Sequence, residues 1–477
     1  MVATSQAPAT LAGLEILRKG GDAADAAIAA AAALCVAEPM SNGLGGDCFA
    51  LVWDGGAVHG LDAGGAAPKG ALAAAPSSSG PSSVVVPAMV AGWAKLSERF
   101  GRLGLDECLR PAIDLAEAGV AAGFHCAAMW SASPLAPVEL GRAPKVGEVY
   151  RVPGLARSLR DLAERGPGSF YTGETAEAIA SVSWLDVEDL GAVSPRWVEP
   201  LSITYRGVDV FEMPPPTQGI AALEALGLLE RLENRAGDQL DAQLDGQLDG
   251  RNLSSEIRAV ALALEDARAQ VRDRAEVTGL IAPAYLDARS HAPVRLFPEP
   301  SGGTVYLCAL DSDGMAVSLI QSLYGGFGSG VVVPGTGIVL NNRASCFEVS
   351  GAVEPGRRPY HTTIPGLLVE NGRLRGPFGV MGGFIQAQAH LQLVSALVDR
   401  GLDPQAALDL PRFRIDRDVV WLEEGLWGAK EDLERGGWRV QRDGGRFGFG
   451  GGQAIQVQEG RILGGSDARK DGFAAGH

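Results

Sequence analysis

Residues 301–322, SGGTVYLCALDSDGMAVSLIQS, are two apolar runs joined by Asp311-Ser312-Asp313-Gly314. An Asp/Gly turn between two such runs is a strong β-hairpin signature. The first run reads as a buried strand, and it opens on Thr304 behind Gly302 and Gly303. A hairpin of this kind belongs in the interior, so the rest of the chain has to supply the layers that cover it. The opening also raises a chemical question: Thr304 is either an ordinary β-branched strand residue or the working group of an enzyme.

The covering layers are visible as blocks. Residues 1–40 read as a helix pair punctuated by Gly20 and Gly21. Its second member, DAADAAIAAAAALCVAE at 22–38, carries Asp22 and Asp25 in its first turn and is too short and too weakly hydrophobic to span a membrane. After Glu38-Pro39, DCFALVWDGGAVHGLDA predicts a hairpin around Asp54-Gly55-Gly56. Helical patterns dominate from about residue 87 to 190, and PLSITYRGVDVFEMPPP returns to strands. The Gln-Leu-Asp repeats of 238–250 read as a solvated loop or a frayed helix extension, followed by a long helix in SSEIRAVALALEDARAQVRDRA. Beyond the central hairpin, NGRLRGPFG marks a second strand pair, FIQAQAHLQLVSALVDRGLDPQAALDLPRF reads as helices ended at Gly401 and Pro411, and the last 60 residues read as short strands. Helices and strands in separate blocks favour a layered α+β or αββα architecture over Rossmann alternation. No glycine cluster follows GxGxxG with an acid about twenty residues on, which argues against a dinucleotide site.

Composition excludes several function classes. At 477 residues the chain suits two or three domains or one large α/β unit, and its net charge of -16 would repel phosphate backbones and anionic lipid. Nucleic acid and membranes are therefore not expected as partners. The N-terminal stretch lacks a basic region leading into an apolar one, so the expected location is cytoplasmic. Six cysteines without a CxxC pair read as reduced thiols, with no metal site and no cofactor expected.

Cutting the peptide bond between Gly303 and Thr304 would leave Thr304 with a free α-amine beside its own Oγ. With an amine pKa near ~8, one residue then supplies nucleophile and general base. The arrangement needs small residues before the threonine, a strand to fix it and backbone N–H groups to hold an oxyanion. Ser301-Gly302-Gly303, the hairpin and Gly382-Gly383 in GVMGG are candidates for the three parts. Each signal alone is weak.

Together with ATSQAPATLAGLEILRKGGDAADAAIAAA, EPMSNGLGGDCFALVWDGG, VEPLSITYRGVDVFEMPPPTQG, GFGSGVVVPGTGIVLNN, GRRPYHTTIPGL and GVMGGFIQAQAHLQ, they resemble the landmarks of the γ-glutamyltranspeptidase family of N-terminal-nucleophile hydrolases, in that family's order. The resemblance implies a four-layer αββα sandwich and a proenzyme that cuts itself before Thr304. The products would be a large subunit of residues 1–303 and a small one of residues 304–477 that stay together as one catalytic unit. It further implies Thr304 as nucleophile, Ser322 as the hydroxyl that hydrogen-bonds its amine or Oγ, and Gly382 and Gly383 as the oxyanion hole. Tyr324 falls where the family often has an asparagine near the substrate.

The sequence departs from the family where a glutamate would be held. The clamp arginine is replaced by Gly64, a pair of serines by His361 and Thr362, and the Gln and Asp of an NNQxxD motif by Arg343 and Cys346. Losing a charge-assisted partner for a buried carboxylate typically costs on the order of 2 to 5 kcal/mol of binding, which disfavours γ-glutamyl substrates. The features resemble a transpeptidase-like branch with amidohydrolase and acylase members, in which Arg343 and His361 would hold an acidic or carbonyl group from another wall. The structural alternatives are an ion-pair role for Arg343 and a core role for His361. His390 is expected to pack or cap, Asp47 to bond loop amides, Cys346 to be inert and Cys308 to belong to the core of the first strand.

The expected function is thus a self-processing threonine hydrolase. It would form an acyl-enzyme at Thr304 and cleave an amide, or a C–C bond beside a ketone, of a small acidic metabolite, as in specialised biosynthesis. Two alternatives stay open: a γ-glutamyl hydrolase or transpeptidase, and a chain that never matures and acts as a binding protein. The expected partners are a small acyl substrate and the two subunits of one precursor, with a homodimer left open.

Overall fold

The protein is described by a computed structural model covering residues 1–71, 77–237, 250–297, 302–443, 445 and 447–477. Most of the Gln-Leu-Asp repeat, and Ser301, lie outside the described residues.

The elements that build the centre are β1 (Val2–Thr4), α1 (Ala7–Arg18), α2 (Ala23–Ala37), β2 (Asp47–Trp53), β3 (Val58–Ala63), β4 (Arg196–Val198), β5 (Leu201–Tyr205), β6 (Val208–Glu212), α3 (Gly219–Gly237), α4 (Gly250–Gln270), β7 (Gly303–Leu310), β8 (Ala316–Tyr324), β9 (Gly366–Glu370), β10 (Arg373–Met381), α5 (Ile385–Val398), β11 (Gly451–Gln458), β12 (Arg461–Ser466) and β13 (Phe473–Ala475). Among the described residues they form a seven-stranded sheet, β13-β1-β7-β8-β2-β3-β4, and a six-stranded sheet, β12-β11-β10-β9-β6-β5.

The predicted hairpin is β7–β8, closed by Asp311, whose Oδ1 accepts the Asp313 and Met315 amides. Its alternation explains why it must be central. Val305, Leu307 and Ala309 join α1 and α2 in one apolar cluster, while Tyr306, Cys308 and Leu310 join Phe49, Leu51, Leu367, Met381 and Ile455 in another between the sheets. A third cluster packs α3, α4 and α5 on the far face of the second sheet. The result is the expected four layers, helix, sheet, sheet, helix.

Alanine lets α2 approach closely: all 15 of its residues are buried, and Asp22 with Asp25 forms a capping box at its start. Two stretches escaped the sequence reading. Residues 2–4 are a strand, not a helix entry, because β1 finds backbone partners on both sides, β7 and β13. Three residues carry too little pattern to reveal such pairing. Residues 424–435, read as strand, are helical turns.

Candidate active site

Thr304 has the same strand parity as Tyr306 and Cys308, so its side chain faces the second sheet at the end of β7. It is 2 % exposed. Opposite it the ladder slips: Gln321 pairs with Val305, but the next pair is Tyr324 with Gly303. The register up to Gln321 already points Ser322 at Thr304, and the slip leaves two residues, Ser322 and Leu323, opposite Thr304 alone, a bulge of the kind often found next to functional sites. Thr304 Oγ donates to Ser322 Oγ at 3.3 Å, Ser322 Oγ donates to the Gly303 carbonyl at 2.6 Å, and the Tyr324 amide donates to Ser322 Oγ at 2.7 Å. One hydroxyl therefore touches both the candidate nucleophile and the carbonyl it would attack.

Gly382 and Gly383 follow β10 with φ of 127° and 74°, in the left-handed region that favours glycine. Gly383 lies against the residue before the Gly303–Thr304 pair: a Cβ on Gly302 would stand 3.4 Å from Gly383 Cα. The two sheets thus bring together what the sequence separates by nearly eighty residues.

From Gly383 a wall of buried side chains runs back to Thr304. Gln218 Nε2 donates to the Thr362 carbonyl at 2.9 Å and reaches the Gly383 carbonyl at 3.5 Å. His361, next in sequence, has Nδ1 3.8 Å from Asp47 Oδ2. Asp47 is the strand partner of Ser322 and takes Arg343 in a two-point ion pair, Nε to Oδ2 at 3.0 Å and Nη2 to Oδ1 at 3.2 Å. The guanidinium lies 4.7 Å from the Tyr324 ring centroid, and Tyr324 closes the circuit by pairing with Gly303.

The wall corrects one expectation: Asp47 does not bond loop amides, because its carboxylate is taken up by Arg343. Arg343 is 0 % exposed, with Nη1 directed at the Cys346 thiol at 3.8 Å. Burial works against its charge, yet Asp47 outweighs burial and holds the guanidinium protonated. Burial also raises the Asp47 carboxyl above its ordinary value, against the pull of Arg343. His361 is driven well below the usual imidazole range by burial, then by Arg343 and Arg358, so it is neutral. Among the described residues, neither ring nitrogen of His361 nor the hydroxyls of Thr362 and Thr363 have a hydrogen-bond partner. Gly64 sits against His361: a Cβ there would lie 2.9 Å from the Phe49 ring and 3.1 Å from His361 Nε2.

Sequence reasoning missed three things. Gln218 was inside a quoted landmark, MPPPTQG, without being singled out. His390 packs and caps a backbone amide as expected, and what was missed is that its other ring nitrogen is bonded to the buried Glu212. The third is a buried group behind the cleavage point, where Ser41 Cα would lie 3.3 Å from a Cβ on Gly303. Ser41 Oγ and Ser5 Oγ donate to Glu38, and His125 and Lys470 stand 3.5 and 3.7 Å from it. Burial alone would raise the Glu38 carboxyl, but Lys470, His125 and Ser5 outweigh it and hold it at about 2.

A depressed carboxylate stabilises the fold above its unfolded value near 4.5, and the contribution is lost as pH falls from there toward 2. The full effect is about 3 kcal/mol. The stability gap between wild type and Glu38→Gln, read by urea unfolding, should therefore shrink by roughly 2 kcal/mol between pH 5.5 and pH 3. A gap independent of pH would contradict the assignment.

A threonine at the end of a central strand of a four-layer αββα sandwich, faced by a glycine turn from the other sheet, has the architecture of the N-terminal-nucleophile hydrolase class. A family model described as gamma-glutamyltranspeptidase matches residues 9–477, and the chain belongs to that family. It is 31% identical to the glutathione hydrolase-like YwrD proenzyme of Bacillus subtilis, over 100% of this chain and 98% of that one. It is 32% identical to the oxamate amidohydrolase proenzyme of Klebsiella pneumoniae, over 89% and 85% of the two chains. Among solved structures, a cephalosporin acylase from Bacillus halodurans superposes with a TM-score of 0.91 at 40% identity, covering 100% of this chain and 96% of that one. The protein is an enzyme of the hydrolase and acylase side of this family.

Proposed function

We propose that the chain cuts itself between Gly303 and Thr304 and that the mature enzyme hydrolyses amides of small acyl groups that are uncharged. The observation that carries the reading is the contact of Ser322 Oγ with both Thr304 Oγ and the Gly303 carbonyl. In the precursor, Thr304 Oγ attacks the Gly303 carbonyl carbon while the Ser322 hydroxyl takes up charge on the oxygen. The Oγ proton passes to the Thr304 nitrogen as the C–N bond breaks, leaving an ester between Oγ and Gly303, and water hydrolyses it to a Gly303 carboxylate and a Thr304 that carries a free amine and its hydroxyl again. In the mature enzyme that amine takes the Oγ proton, Oγ attacks the substrate carbonyl, and the Gly382 and Gly383 amides hold the oxyanion. The amine then returns the proton to the leaving nitrogen, and water releases the acyl group from the ester. The same steps break a C–C bond only where the departing carbanion is stabilised as an enolate, a demand that an amide does not make.

Cutting would not separate the halves. Strands β1 to β6 belong to residues 1–303 and β7 to β13, apart from Gly303 at the start of β7, to residues 304–477, and both sheets mix the two sets.

The acyl preference follows from charge. Of the two groups expected at the Arg343 wall, a carbonyl fits better than an acid, because Asp47 matches the only charge that Arg343 brings and His361 is neutral. An anionic acyl group would add an unmatched buried charge. Anilides of short neutral acids should accordingly be cleaved with kcat/KM at least tenfold above γ-glutamyl p-nitroanilide and above the turnover of oxamate. Gly64→Arg should not restore γ-glutamyl cleavage, since its Cβ would press on Phe49 and His361. A preference for either charged substrate, lost in Arg343→Ala, would overturn the acyl assignment.

A further inference from the structure

Strands β9 and β10 part beside the candidate site. Gly366 faces Phe378, and continuing that antiparallel register would set Ile364 against Val380. Those two amides go elsewhere. Ile364 N–H donates to Gln386 Oε1 at 3.0 Å, and Val380 N–H donates to His390 Nε2 at 3.1 Å. Gln386 and His390 are four residues apart on α5, hence on one face of the helix, and both are 0 % exposed. One helix face therefore replaces the ladder bonds that the separating strands give up, as buried backbone donors require.

His390 is itself fixed from behind. Its Nδ1 lies 2.6 Å from Oε1 of Glu212, the fully buried last residue of β6. Since Nε2 accepts a backbone N–H, the bonding assigns the ring proton to Nδ1, which donates to Glu212. The Phe378 ring packs 5.0 Å from the imidazole. On its other edge β10 is tied to β11 as far as Met381 with Gly451. Val380 is two residues ahead of Gly382, so the imidazole is the last tie on the open edge before the glycine turn.

We infer that His390, oriented by Glu212, is a positioning residue that holds the end of β10 so that the Gly382 and Gly383 amides point at the developing oxyanion. The inference rests on the reading of those glycines as the oxyanion donors. His390 has both ring nitrogens committed and touches no reacting atom. Its contribution should therefore be to the rate of acyl transfer and not to substrate affinity.

The test uses the self-cleaved protein and p-nitrophenyl acetate, an activated ester whose p-nitrophenol burst reports acylation. His390→Leu fills the space without an acceptor for the Val380 amide; His390→Gln keeps an acceptor at about the reach of Nε2. The leucine variant should acylate 10- to 100-fold more slowly at saturation with KM within about twofold of wild type, while the glutamine variant keeps at least a third of the wild-type rate. Amide exchange at Val380 should accelerate in the leucine variant only. Should His390→Leu fail to fold, Glu212→Gln replaces it, with a drop of about 3- to 10-fold in the same rate and KM unchanged. A folded His390→Leu with the wild-type rate overturns the inference. So does a folded glutamine variant as slow as the leucine one, or a change confined to KM. If instead Thr304→Ala keeps the burst, it is the reading of the site that fails, whatever His390 does.

Discussion

Thr304→Ala should run as a single species near 49.5 kDa under denaturing conditions, where the wild-type chain should run as two. Turnover should fall by a factor on the order of 10⁴ or more, as for removal of a covalent nucleophile elsewhere. The substitution is small and the site is nearly closed to solvent, so the variant should fold. Its failure to cleave would be chemical: the hydroxyl proposed to attack the Gly303 carbonyl is gone. Two graded variants make the result specific. Thr304→Ser keeps an oxygen in place and should cleave itself, more slowly. Ser322→Ala keeps the nucleophile but removes the donor 2.6 Å from the Gly303 oxygen, and self-cleavage should slow by about 10²- to 10³-fold, the range for loss of one oxyanion donor. Intact mass after timed incubation reads all three. Fragments from Thr304→Ala would exclude Thr304 as the self-cleaving group and remove the precursor step from the proposed function.

How much of this site the sequence displayed depended on whether the information was local. The hairpin announced itself through Asp311 and Gly314, the helices around it through caps and spacing, and the layered architecture through the order of blocks. Gly382 and Gly383 stood out because two adjacent glycines at a strand end suggest backbone conformations that side chains resist. Position within a strand also set which residues share a face: Asp47, Ser322 and Thr304 all fall on the inward parity of their strands, although no motif links them. What stayed hidden were partnerships across long stretches of chain. Nothing near Asp47 or Arg343 in sequence shows that they meet: read separately, one looked like a loop anchor and the other like a pocket cation or an ion-pair residue with no partner to name. Their meeting changes the chemistry expected of both. His390 was hidden in the same way, since the strand gap that gives it a purpose exists only once β9 and β10 are seen to diverge. The bulge at Ser322 was invisible because it is a mismatch of counts between two strands, and neither strand records it alone.

Asp47→Ala should destabilise the protein by about 3–5 kcal/mol, because it leaves the Arg343 guanidinium wholly buried with no carboxylate. The expected asymmetry identifies the cause. Arg343→Leu alone strands the Asp47 carboxylate, whose buried position already favours the neutral form, so it should cost less and the cost should grow as pH rises. Replacing both by leucine should recover most of the loss, since an ion pair taken out as a unit leaves no charge behind. A double-mutant cycle by chemical unfolding would then give a coupling of roughly 2 kcal/mol or more between the two positions. If the single variants are additive, the pair is not the structural unit described. A second consequence separates stability from selectivity. Asp47→Asn preserves the shape of the side chain but cancels its charge, so any folded fraction presents an unmatched guanidinium beside Tyr324. That pocket should now favour anionic acyl groups, and kcat/KM for oxamate should rise relative to a neutral anilide by at least tenfold, about 1.4 kcal/mol of discrimination. The direction of that change matters more than its size: an unchanged ratio would mean that Arg343 does not face the acyl group, even if the ion pair holds the fold together.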